Sequence, residues 1–280
     1  MNKTIVGKDG YLFLNHDREL NIHTDNVCNI DITKYNKYKH KMLFVVFPDK
    51  SVVCKEFVPD MYDIKYRPSF DVYKDYFKEQ LIDGNELLTH DDFYKTDTHI
   101  NLKGSYTIFC HFIKKLNELF KLNHVYETAS IEKKIVPSLN NLNVGIGDLT
   151  WPMNLGGQTL ESTEDTYYYS DTINPIYLKH VIKKGDLKLM KNNVIESSDS
   201  FIGKPVGWDI LSKHILYKKN KDKQFKCLIF YDSFLLSTLD LYLHLFEEVY
   251  MSKSMFNASM IEIINPDYIF EFRIERFLNL

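Results

Sequence analysis

Six apolar residues in succession, Met42 to Phe47, end abruptly at Pro48-Asp49-Lys50. A run this short and unbroken predicts a strand buried on both faces, because a strand with one wet face would alternate. A second run, Phe225 to Tyr231, stops at Asp232-Ser233 and passes at once into a helical pattern carried by Leu235, Leu236, Leu239, Tyr242, Leu243 and Phe246. Around these two lie weaker signals. Gly7-Lys8-Asp9-Gly10 reads as a turn into a short strand over Tyr11 to Leu14, and a short helix is expected around Ile32 to Lys39. Phe70, Tyr73, Tyr76, Phe77 and Leu81 recur at helical spacing and stop before Asp83-Gly84. Leu102, Tyr106, Phe109, Cys110, Ile113, Leu116 and Phe120 mark a second amphipathic helix, entered from the polar loop Asp91 to His99. Near the C-terminal end, Glu248 to Met251 predicts a strand, Met255 to Ile264 a helix and Tyr268 to Phe272 a closing strand.

Between about residues 123 and 225 the pattern loosens. Val144 to Trp151 and Asn154 to Gly157 have loop chemistry, and Tyr167-Tyr168-Tyr169, Ile176-Tyr177-Leu178 and Ile215-Leu216-Tyr217 are short apolar runs. The stretch reads as an antiparallel, β-rich insertion or lid. Alternating β and α segments on both sides of it predict one α/β domain over residues 1–280, built on a three-layer, doubly wound and mostly parallel sheet.

Composition narrows the partners. With 11 Gly and 8 Pro in 280 residues no long disordered segment is expected. A formal net charge of -3 gives no general electrostatic basis for binding nucleic acid or an anionic membrane, so a small-molecule, glycan or protein partner is expected. Cys28, Cys54, Cys110 and Cys227 are scattered without a C-x-x-C pair, as expected of free thiols in a reducing compartment. No apolar leader core and no run of about 20 apolar residues is visible. The expectation is a cytoplasmic protein without a membrane span, or a periplasmic one whose leader has been removed.

The candidate chemistry lies at the ends of the apolar runs. Catalytic groups of α/β sheets gather beyond the carboxyl ends of the strands. Pro48-Asp49-Lys50 is therefore a candidate site loop, with Lys50 a candidate substrate contact, or a plain strand-ending turn. A serine delivered by a strand into the first turn of a helix is presented as a nucleophile would be, which singles out Ser233. It needs a base to take its proton, and the base needs a carboxylate to orient it. Asp97-Thr98-His99 holds both groups two residues apart. The same residues would serve a helix start, with Asp97 or Thr98 as the cap. Asp232 either caps the following helix or holds the turn, with Tyr231, so that the Ser233 N–H faces an oxyanion. Glu275-Arg276 is either a surface pair or returns a guanidinium to the mouth of the site. Trp151, Tyr167, Tyr168, Tyr169 and Trp208 could stack on sugar rings or close a hydrophobic patch. A metal site from His90, Asp92 and His99 is the weaker alternative, and none is expected.

Several of these segments occur together and in order: Val6-Gly7-Lys8-Asp9-Gly10-Tyr11-Leu12-Phe13-Leu14, Phe47-Pro48-Asp49-Lys50, Tyr94-Lys95-Thr96-Asp97-Thr98-His99 with Gly104, Gly147-Asp148-Leu149, Asp232-Ser233-Phe234, and Pro266-Asp267 with Glu275-Arg276-Phe277. In this the chain resembles the alginate O-acetyltransferase family (AlgX/AlgJ-like) of the SGNH hydrolase superfamily. It differs in having Tyr231 where the family usually has glycine and Ile100 where it often has tryptophan. The resemblance implies an SGNH-like fold with Ser233 as nucleophile, His99 as base and Asp97 as its orienting carboxylate. It implies O-acyl transfer, chiefly O-acetyl, to hydroxyls of a bacterial surface or capsular polysaccharide or its precursor. No tightly bound cofactor is then expected, with acetyl-CoA or another acetyl donor as co-substrate. The expected partners are a glycan or nucleotide-sugar acceptor and other polysaccharide-biosynthesis proteins. A carbohydrate acetyl esterase would use the same triad, and a catalytically silent glycan-binding module would keep the fold without the reaction.

Overall fold

The computed structural model describes residues 4–14, 30–62, 67–126, 128–137, 147–150, 164–173, 180–191 and 193–279. Along the chain these form strands β1 (Thr4–Val6), β2 (Leu12–Leu14) and β3 (Met42–Phe47), the one-turn helix α1 (Lys50–Val53), helix α2 (Pro68–Phe77), strand β4 (Leu81–Asp83) and the long helix α3 (Leu102–Phe120). Strands β5 (Glu132–Pro137), β6 (Glu164–Tyr169), β7 (Leu187–Lys191), β8 (Val194–Ser197), β9 (Ile215–Lys219), β10 (Lys226–Tyr231), β11 (Glu248–Ser252) and β12 (Tyr268–Ile274) follow.

Eight strands make one sheet in the order β4-β3-β12-β10-β11-β9-β7-β8. The first five run parallel, and β9, β7 and β8 continue the sheet antiparallel. The protein is thus a mixed α/β molecule on a large, mostly parallel sheet. Strand β3 shows why its sequence is apolar throughout. Leu43, Val45 and Phe47 enter one buried cluster, with Ile108, Phe109 and Phe112 of α3, while Met42, Phe44 and Val46 enter another, with Phe70, Tyr73 and Phe77 of α2. A strand covered on both faces has no wet side to mark with polar residues.

Within residues 123–225, strands β7, β8 and β9 belong to the central sheet, and β5 and β6 pair as a separate hairpin. The run Ile176 to Leu178, Trp151, and the early part of the Val144 to Trp151 loop lie outside the described residues. The helix expected around Ile32 to Lys39 is two 3-10 turns, Ile32–Tyr35 and Lys39–Lys41. The pattern after Ser233 opens as a 3-10 helix, Ser233–Thr238, before a short α-helix at Leu239–Leu243. Among the described residues no helix is long and apolar enough to cross a membrane.

Two glycines bring the loops of one sheet end together. A Cβ on Gly104 in the first turn of α3 would stand 2.7 Å from the Asp92 carbonyl oxygen, so only glycine lets the helix seat on the 90–92 turn. Gly147 takes φ +84°, and a Cβ there would stand 2.4 Å from the Thr96 carbonyl oxygen. It lets the 147–150 turn lie directly on the Asp97 loop.

Candidate active site

Strands β3, β12 and β10 are neighbours, and their carboxyl ends deliver Asp49-Lys50, Glu275-Arg276 and Asp232-Ser233 to one place. Asp232 fixes the serine turn. Its Oδ1 accepts from the Phe234 N–H at 2.9 Å, and its Oδ2 accepts from the Ile274 N–H on β12 at 2.6 Å. The serine is therefore tied both to its own helix and to the neighbouring strand.

The loop before α3 comes in from the other side. His99 Nε2 lies 2.9 Å from Ser233 Oγ, and His99 Nδ1 lies 2.6 Å from Asp97 Oδ1. With its proton on Nδ1, the imidazole donates to Asp97 and accepts from the serine hydroxyl. Asp97 Oδ1 also takes the His99 N–H at 2.9 Å, so the Asp-x-His spacing closes a local turn that aims the ring. Phe234 packs against that ring, with centroids 4.8 Å apart.

Three charged side chains hold this irregular loop. Fully buried Lys50 donates from Nζ to the carbonyls of Leu12 (2.7 Å), Lys95 (2.8 Å) and Asp97 (3.0 Å). Asp165 on β6 accepts from the N–H groups of Lys95 and Thr96, both at 2.9 Å, and from the Thr96 hydroxyl at 2.7 Å. Asp148 accepts from the Thr98 N–H at 2.9 Å and the Thr98 hydroxyl at 2.8 Å, and its own N–H donates to Asp97 Oδ2 at 3.0 Å. Buried backbone polar groups require partners, and a loop outside the sheet obtains them from side chains. Lys50, a candidate substrate contact from its sequence position, thus has its ammonium engaged with the backbone beneath the site.

The electrostatics follow from this packing. Burial works against the Asp97 charge, yet the adjacent His99 and the N–H donors of His99 and Asp148 hold its carboxyl well below the usual carboxylate range. Burial works to lower the His99 pKa, but Asp97 and then Asp148 outweigh it and raise the imidazole above its ordinary value, with Arg276 opposing them. Asp148 is raised by burial and by the Asp97 charge.

The remaining candidates divide between the wall of the site and its foundations. Arg276 is largely buried, forms an ion pair with Asp49, and lines a cavity of about 380 Å3 together with Leu14, Thr98, His99, Asp148, Trp208 and Ser233. Tyr231 is buried in the core cluster on the α3 side, and its hydroxyl has no hydrogen-bond partner among the described residues. Trp208 is half exposed, with the Lys253 ammonium 3.0 Å from its ring centroid. Tyr167 stacks on Tyr94, Tyr168 is buried, and the Tyr169 hydroxyl donates to Glu132. His90 faces Glu56 and Asp91 at 3.4 and 3.7 Å, while Asp92 caps its own turn and pairs with Lys103 at 3.0 Å. Among the described residues the group with cation-like spacing is Asp97, His99 and Asp148, whose ligand atoms lie within 4.8 Å of one another. The hydrogen bonds already described commit both oxygens of each carboxylate, an arrangement that suits proton handling.

Asp148 and Asp165 were not singled out from the sequence. The one signal available for Asp148 was its place in Gly147-Asp148-Leu149, and Asp165 carried none, because each acts across a long sequence separation.

No protein-family model matches the chain, and no curated protein sequence matches it either. Solved structures do match in fold, and they define a class of mixed α/β proteins that includes an O-acetyltransferase domain. Bacillus cereus PatB1 superposes with a TM-score of 0.60 at 12% identity, over 98% of this chain and 96% of that one. The O-acetyltransferase domain of Pseudomonas putida AlgJ gives 0.53 at 12% identity, over 100% and 93%. A DHHW family protein from Eubacterium siraeum gives 0.54 at 13% identity, over 99% and 95%.

Proposed function

We propose that the chain is a serine-dependent O-acyltransferase of the SGNH type, with Ser233 as nucleophile, His99 as base and Asp97 as its orienting carboxylate. The observation that carries this reading is the line Asp97 Oδ1, His99 Nδ1, His99 Nε2, Ser233 Oγ, with contacts of 2.6 and 2.9 Å at its two ends. A shared fold with an O-acetyltransferase domain supports it, as do aromatic and polar residues beside the serine that suit a sugar hydroxyl.

In the first half-reaction Ser233 Oγ attacks the carbonyl carbon of an acyl donor and its proton passes to His99 Nε2. The Ser233 N–H, at the head of the turn that Asp232 holds, faces the oxyanion. The tetrahedral adduct collapses, the bond to the donor's leaving group breaks, and that group departs with the proton from His99. In the second half-reaction His99 takes the proton of an acceptor hydroxyl, whose oxygen attacks the acyl-serine ester. The Ser233–acyl bond breaks and the proton returns to Ser233. Asp97 orients the imidazole and supports its charge in both halves. The donor is an acyl thioester such as acetyl-CoA or another activated acyl ester, and the acceptor a glycan or nucleotide sugar of a bacterial surface polysaccharide. Water in place of the sugar makes the same residues an esterase.

The test is incubation of wild type and Ser233→Ala with acetyl-CoA or an aryl acetate, with and without candidate glycans, followed by mass spectrometry of glycan and protein. Acetyl transfer to sugar by wild type alone is expected. Release of acetate with no sugar product would assign an esterase, and glycan binding without any turnover would assign a silent binding module.

A further inference from the structure

Ser233 and His99 line two cavities, of which the smaller is the more apolar. On one side the cavity of about 380 Å3 carries Thr98, Asp148, Arg276 and the half-exposed Trp208. On the other side a cavity of about 290 Å3 opens between the Asp97 loop and the serine turn, with Tyr94, Ile100, Phe234 and Leu236 as its apolar walls. Among the described residues its polar members are Asp97, His99 and Ser233, already engaged with one another, and Ser237, whose hydroxyl donates to Ser105 Oγ at 2.7 Å. The walls are firmly based. Ile100 and Phe234 are buried, Tyr94 stacks on Tyr167, and Phe234 is wedged against Phe47 and the His99 ring.

The size of the apolar cavity is out of proportion to an acetyl group. An apolar cavity of about 150 Å3 suffices for a benzene ring. A methyl group placed beside Ser233 would leave the partly exposed walls, Tyr94 and Leu236, wet, and each methylene that covers such surface improves binding by up to roughly fourfold. The larger cavity also has apolar walls in Leu14 and Phe277, and adds to them the half-exposed Trp208 ring, the Thr98 hydroxyl and the Arg276 guanidinium.

We propose that the two cavities sort the two halves of the ester, with an aliphatic acyl chain of about four to six carbons lying along Tyr94, Ile100, Phe234 and Leu236, and the hydroxyl-bearing acceptor lying against Trp208. This rests on Ser233 being the acyl carrier and names the acyl group that it carries. The reaction is the one already written: the donor's ester or thioester bond breaks, the Ser233 Oγ–acyl bond forms, and the acceptor oxygen then replaces Oγ. Extension of the acyl chain changes which surfaces are buried in the tetrahedral adduct and leaves the proton transfers as they are.

The test uses the full chain and p-nitrophenyl acetate, butyrate, hexanoate and octanoate, with kcat/KM measured for wild type, Ile100→Trp, Ile100→Ala and Ser233→Ala. Wild type should favour butyrate and hexanoate over acetate, by as much as roughly fourfold per methylene. Ile100→Trp, which fills the cavity, should lower the hexanoate-to-acetate ratio tenfold or more, while Ile100→Ala should carry the preference toward octanoate. Each ratio is taken within one variant, so loss of folded protein cancels. A wild type that turns over acetate best, or a ratio that Ile100→Trp leaves unmoved, overturns the acyl assignment and leaves the serine mechanism standing. Failure of wild type to turn over any ester, with no acyl adduct on Ser233, overturns both.

Discussion

The two halves of the candidate site are positioned by different means. Ser233 stands at the end of β10, a central strand paired on both sides, and one carboxylate, Asp232, completes its placement. His99 stands on a loop outside the sheet, and Lys50, Asp148 and Asp165 supply the hydrogen bonds that no neighbouring strand provides. The sheet positions a nucleophile at little extra cost, since its ladder must form in any case. A loop requires dedicated buried polar groups, each of which is destabilising unless fully partnered. The serine side should accordingly tolerate change around it, whereas the histidine side should lose both stability and turnover when a clamp is removed.

The largest expected effect is at the reacting atoms. Ser233→Ala or His99→Ala should each lower kcat by roughly 10^6-fold, and the double variant should be little worse than either, because residues that act as a unit are not additive. Steady-state kinetics on an aryl ester measures this.

Asp97→Asn should cost roughly 10^4-fold in kcat, through loss of the carboxylate that selects the Nδ1–H tautomer. The pH profile separates this from misfolding. His99 must be neutral to act as base, and its pKa is raised above the ordinary value chiefly against burial by Asp97. In wild type kcat/KM should therefore rise with pH through a midpoint above that of an ordinary histidine. In Asp97→Asn the residual activity should rise at lower pH.

Lys50→Met removes the donor shared by three carbonyls and should lower stability by about 3 kcal/mol or more, read by denaturant unfolding. Its residual activity should fall mainly in kcat, since the ammonium acts on the Asp97 backbone and touches no substrate. A rise confined to KM would show instead that Lys50 meets the substrate.

The smallest effect belongs to the serine side. Tyr231→Phe removes a buried hydroxyl with no described hydrogen-bond partner, and stability should change by less than about 1 kcal/mol or improve. Activity should stay near wild type, because Tyr231 packs in the core cluster on the α3 side and reaches the turn only through packing.

The same contrast explains how much could be read from the amino-acid sequence. Strands β3 and β10 and helix α3 announced themselves through apolar run or period, and the residues at their ends, Ser233 and His99, were visible as chemistry placed at element boundaries. Asp97 was visible because its bond to His99 is local. The clamps were not. Asp165 meets Thr96 across 69 residues and Asp148 meets Thr98 across 50, and no spacing rule spans such loops. Lys50 was visible as a charge after a strand, a position that suggests exposure, yet it is fully buried. Of strands β7 to β9 the sequence pattern marks only Ile215-Leu216-Tyr217, as part of an insertion, because Lys188, Lys191, Glu196 and Lys219 interrupt the apolar runs. Those residues lie at the antiparallel end of the central sheet, where one flank of each strand is more open than in β3.

The most direct test of the account is a search for the acyl-enzyme itself. Wild type and Ser233→Ala would be mixed briefly with an aryl ester, quenched in acid and analysed by intact mass and peptide mapping. The account predicts one acyl group per wild-type chain, on the peptide that carries Ser233, and none on the alanine variant. An adduct on another residue, or turnover by wild type that persists in Ser233→Ala, would contradict it.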